Sequence, residues 1–157
     1  MSSKFSIAYQ IEAINKDVLN EDPGYTVFMM SAITGTAKIS SGGQVVDIKT
    51  CGLLRLSSSL IYLCVMPLMY KMGVNESRLD EVIDMTSSLE NGQIKLGLHG
   101  SPYRTTTNFY VPPMDALAEV GKFQTELVQS LFSANNALRV DSRVREYLFF
   151  ASDNLLK

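Results

Sequence analysis

A strand–turn–strand set between two helical patterns constrains this chain more than any other feature. Residues 93–99 and 103–111 flank Gly100-Ser101-Pro102. Ile94, Leu96 and Leu98 alternate with polar residues, and the return segment keeps the same period at Tyr103, Thr105, Thr107, Phe109 and Val111. A period of two places one face of a strand in a core and the other in water. Helical periodicity is read on both sides, over residues 79–89 and 114–132. A one-sided sheet between helices implies an α+β domain, an open antiparallel sheet flanked by helices. Such a sheet keeps a face or an edge on which to hold something. That points to a binding or chaperone-like module and away from an enzyme.

The remaining elements follow from periodicity and turn chemistry. Ile7, Ile11, Ile14 and Val18 recur at spacings of four, three and four, one face of a first helix closed by Glu21-Asp22-Pro23-Gly24. Residues 5–11 suit a strand as well, because Phe, Ile and Tyr favour strands. Residues 25–33, 37–39, 45–48, 53–56 and 60–66 read as strands, with Ser41-Gly42-Gly43 as a hairpin turn. Residues 60–66 are almost wholly apolar, which predicts a central strand covered on both sides. After a loop over 67–76, a second helix is expected from Ser77, with Leu79, Val82, Ile83 and Leu89 as its stripe and Asn91-Gly92 as its stop. Pro112-Pro113 opens a third helix striped by Leu117, Val120, Phe123, Leu127, Val128, Leu131 and Phe132. Asn135-Asn136 breaks it, and Asp141 caps an additional C-terminal helix over 141–156. No linker or repeat divides the 157 residues, so a single domain is expected.

The residue types that carry chemistry are sparse. His99 is the only histidine and stands beside the Gly100 turn, where an exposed turn residue is the simplest reading. Cys51 and Cys64 lack metal-site spacing and suit two reduced, buried thiols, although a disulfide stays open at this point. No glycine-rich loop precedes a helix, and the acidic residues fall at helix ends and polar faces. No catalytic residue, metal site or cofactor is therefore expected. A formal net charge of −2 gives little support for nucleic-acid binding. The longest apolar run, 60–70, is interrupted by Pro67 and is well short of the ~20 residues that span a bilayer. A cytoplasmic protein is the expectation. Of eight methionines, Met29, Met30, Met66, Met69 and Met72 fall within one segment. Methionine is flexible and polarisable, and it serves either as core filler or as an adaptable binding surface.

Three stretches carry a family resemblance: LNEDPGYTV (19–27), LIYLCVMP (60–67) and NGQIKLGLHGSPYRTTTNFYVP (91–112). In their order of elements they resemble the bacterial YbjN family and the related fold of type III secretion chaperones. Ile94 stands where that family commonly has an aromatic residue. The resemblance implies a non-enzymatic fold, often dimeric, whose chaperone relatives hold an extended partner segment. On that basis Ile7, Ile11, Ile14, Met29, Met30, Met66 and Met69 are expected to contact a protein partner. Leu79, Val82 and Ile83 would form a homodimer contact. A second stretch, GTAKISSGGQVVDIKTCGLLRL (35–56), is similar to the cupin-like sensory domain of AraC-type regulators. That similarity implies instead a closed barrel with an interior ligand pocket.

Overall fold

The structure, a computed structural model, describes residues 4–15, 25–69, 74–78, 83–100 and 105–145. It is α+β, as the alternating hairpin implies, and both of its sheets are open and antiparallel. The first sheet joins β1 (Ser6–Ile14), β2 (Ile33–Ser41) and β3 (Gln44–Gly52) in that order. The second is a four-stranded meander of β4 (Asn75–Arg78), β5 (Ile83–Glu90), β6 (Gln93–Gly100) and β7 (Thr105–Val111). A short α1 (Tyr25–Ser31) lies between β1 and β2, α2 (Leu53–Met69) joins the two sheets, and α3 (Pro113–Ala134) follows the meander. A 3-10 turn, Asn136–Val140, and a helical turn over 142–145 close the described chain.

Both two-residue hairpins use left-handed backbone. Gly42 and Gly43 have φ of 59° and 84°, and Asn91 and Gly92 have φ of 51° and 76°. Positive φ at both central residues is the turn whose twist matches that of its strands. Thus Asn91-Gly92 does not stop a helix: it pairs Glu90 with Gln93 across a hairpin.

The middle of the chain departs most from the periodicity reading. Residues 53–69 are one helix, not two strands split by serines. A short apolar run has the same appearance in a buried strand and a buried helix. Length decides here, because α2 is buried on nearly every side: α1, α3 and the first sheet cover part of it, and β4, β5 and β6 the rest. Ser57 and Ser59 are small enough to sit inside that packing, and Ser59 Oγ accepts a hydrogen bond from Ser77 Oγ at 3.0 Å. With α2 filling the interior between two open sheets, the described strands do not form the closed barrel of a sensory domain.

The expected second helix is also absent. Residues 83–90 alternate Ile-Asp-Met-Thr-Ser-Ser-Leu-Glu, and Met85 and Ser87 face the core. The core position taken by serine hides the period of two. Ile83 therefore opens a strand, so residues 83–89 do not continue the helix on which a homodimer contact is expected. Leu79 and Val82 lie outside the described residues, as do Val18, the 21–24 stop, Ser101 and Pro102 of the expected turn, and residues 146–156 of the expected C-terminal helix. Residues 25–31 form a helix where a strand was expected, and Phe28 and Met29 bury its inner side.

The predicted hairpin and third helix are present. Ile94 pairs with Val111 and Leu96 with Phe109, all four buried. Pro113 starts α3, and Val120, Phe123, Leu127, Val128 and Leu131 form its buried stripe.

Candidate functional site

Residues 7–14 form strand β1, so the isoleucines expected on one helix face take a different arrangement. Phe5 and Ile7 are buried, and Tyr9 and Ile11 are half-buried, which is a strand period of two. The register shifts between Ile11 and Ala13, and this extra residue returns Ile14 to the same side. Spacings of four and three imitate a helix because a bulge interrupts the strand.

Among the described residues β1 is an edge strand, with β2 on one side only. Its free edge begins capped: the Ile7 backbone N–H donates to Glu119 Oε1 of α3 at 3.0 Å. In an antiparallel pair, alternate residues of a strand direct their backbone groups to the same side. Ile7 points away from β2, so Tyr9 and Ile11, two and four residues on, do too. Beyond the cap the edge borders a groove of about 590 Å³ between β1 and the C-terminal half of α3. Tyr9, Ile11 and Ile14 line the strand side, and Glu126, Gln129, Ser130, Ser133 and Ala134 line the helix side. Tyr9 is held by Phe123, their ring centroids 5.1 Å apart. Burial, and then the Glu126 carboxylate, push the Tyr9 phenol above its ordinary pKa.

The sequence-predicted contact residues divide. Ile11 and Ile14 enter the groove, whereas Ile7 sends its side chain into the core and contributes its backbone. Met29, 2% exposed, is core. Met30 and Met69 are 46% and 62% exposed, Met66 is half-buried on α2, and none of the four lines the groove. Tyr9, Glu119, Glu126 and Ser133 went unseen because β1 was read as a helix. Their signal is present in the sequence: a period of two over Phe5, Ile7, Tyr9 and Ile11, and a polar stripe at helical spacing on α3.

His99 is not an exposed turn residue but half-buried within β6. Its Nε2 lies 3.0 Å from Thr86 Oγ1 and its Nδ1 2.9 Å from Thr106 Oγ1, so the ring ties three strands on their outer face. Among the described residues no group of three His, Cys, Asp or Glu is placed to hold a metal ion. Cys51 and Cys64 are not joined in a disulfide, and burial pushes the Cys64 thiol up to about 12, well away from nucleophilic use at neutral pH. No described helix is long and apolar enough to cross a membrane. Comparison with family models, with curated proteins and with solved structures finds no match.

Proposed function

We propose that this chain is a non-enzymatic protein-binding module, chaperone-like or adaptor in kind, that holds an extended segment of a partner by strand addition to β1. One observation carries the reading: α3 caps the β1 edge at Ile7 and leaves it bordering a groove from Tyr9 onward. Unpaired strand edges are templates for another chain, and proteins without such a use cover or blunt them. Before the bulge that follows Ile11, the edge turns the backbone groups of Tyr9 and Ile11 outward, where a short peptide strand can begin to pair. Main-chain bonds would supply affinity, and Ile11, Ile14 and the α3 wall would select side chains. Two cysteines not joined in a disulfide, Cys51 and Cys64, suit the reducing cytoplasm, where we place the protein. A homodimer belongs to the same proposal, and sedimentation of the full chain would measure it.

The test removes the edge donor while keeping the fold. Ile11→Pro deletes an N–H that faces away from β2, and proline is tolerated at such edge positions. Peptides selected from a random decapeptide library on the parent chain are expected to lose at least about tenfold in affinity for this variant, as one or two main-chain bonds are lost. Stability is expected to fall by no more than about 2 kcal/mol. Selected peptides that bind Ile11→Pro as tightly as the parent would place the binding surface elsewhere.

A further inference from the structure

Resting on the strand-addition reading, we infer that the segment held at the β1 edge is basic, presenting a lysine or arginine to Glu126. An added strand would turn alternate side chains inward, over the groove. There it meets Tyr9, Ile11 and Ile14 on one wall but Glu126, Gln129, Ser130 and Ser133 on the other. An apolar side chain would cover Ile11 and at the same time desolvate the Glu126 carboxylate, and an unpaired carboxylate taken out of water is costly. A lysine or arginine serves both walls: its methylene stem lies on Ile11 and the Tyr9 ring while its head meets the carboxylate.

Glu126 is half-buried, and among the described residues no lysine or arginine forms an ion pair with it. Glu119, two helical turns earlier on α3, is already engaged by the Ile7 N–H. Among the residues that line the groove, Glu126 is the one that carries a charge. Its field already reaches the groove wall, since it helps to hold the Tyr9 phenol protonated. A second copy of this chain paired through β1 would not supply the cation, because residues 5–15 contain no lysine or arginine.

Three dye-labelled octapeptides, alternating valine with lysine, with threonine or with glutamate, test this by fluorescence polarisation against the full chain. The lysine peptide is expected to bind roughly five- to tenfold more tightly than the threonine peptide, with the glutamate peptide weakest. The preference should shrink as salt is raised. Glu126→Gln, which keeps the size of the side chain, is expected to abolish the preference, and Glu126→Lys to invert it. Equal binding of the lysine and threonine peptides, or a preference that survives Glu126→Gln, overturns the basic segment and leaves strand addition standing. If none of the three peptides binds, both fall.

Discussion

Gly35→Ala is expected to lower stability by about 3–4 kcal/mol. A Cβ built on Gly35 falls 2.0 Å from the Gln10 carbonyl oxygen and 3.0 Å from both its carbon and Leu53 Cδ1. A side-chain end could swing away, but a backbone carbonyl in the β1–β2 ladder cannot move without breaking that ladder. Gly35 sits where the pairing with β1 passes Ile11 and the pairing with β3 changes register, so two strand pairs depend on one missing side chain. Urea denaturation measures the effect, with Thr36→Ala, on the outer face, as a control expected to cost less than about 1 kcal/mol. A loss below about 1 kcal/mol for Gly35→Ala would mean that β1 is not held as described. Because the groove is built on β1, the variant should also lose peptide binding under conditions where α2 and the second sheet remain folded.

The second large effect lies at the clamp that follows α3. Arg143 is buried, yet its guanidinium carbon stands 4.4 Å from the ring centroid of Phe28 in α1. Asp141 answers the charge: it accepts from Arg143 Nε at 3.0 Å, from Nη2 at 2.7 Å and from the backbone N–H of Arg143 at 2.8 Å. These bonds to Arg143 hold the Asp141 carboxyl below the usual carboxylate range, against a smaller opposing effect of burial. Asp141→Ala leaves the buried guanidinium without this partner and is expected to cost about 2–4 kcal/mol. The pH dependence has a definite sign. A carboxyl with a lowered folded pKa stabilises the fold above its unfolded value, about 3.9, and loses that contribution as pH falls through the folded value. The gap in stability between the parent and Asp141→Asn should therefore be full above about pH 5 and close as the pH drops below about 4. Thermal melts at stepped pH check this, and a gap that widens in acid would refute the assignment.

How much was legible in the sequence depended on whether local pattern and burial agreed. The hairpin over 93–111 was readable because Ile94, Leu96, Leu98, Phe109 and Val111 alternate without interruption. α3 was readable because Pro113 marks its start and its apolar stripe continues from Val120 to Leu131. β1 misled because its bulge turns a period of two into spacings of four and three. α2 misled because it is buried over most of its surface and its partly exposed positions, Tyr62 and Met66 among them, are themselves largely apolar, so no polar face marks it as a helix. β5 misled because Ser87 takes a core position and Asn91-Gly92 serves a helix end and a hairpin equally well. Of the candidate site, Ile11 and Ile14 were named for the wrong reason. Glu119 and Glu126 were hidden, because only the crossing of α3 over the β1 edge gives those carboxylates anything to act on.

Backbone amide exchange along β1 tests the central claim most directly, with the full chain alone and saturated by a selected peptide. Strand addition predicts that the Tyr9 and Ile11 amides become protected by at least about tenfold, as amides do on entering a ladder. Ile7, already bonded to Glu119, should change little. Unchanged exchange at Tyr9 and Ile11, with protection gained instead around Thr86, His99 and Thr106, would contradict the account and move the binding surface to the outer face of the second sheet.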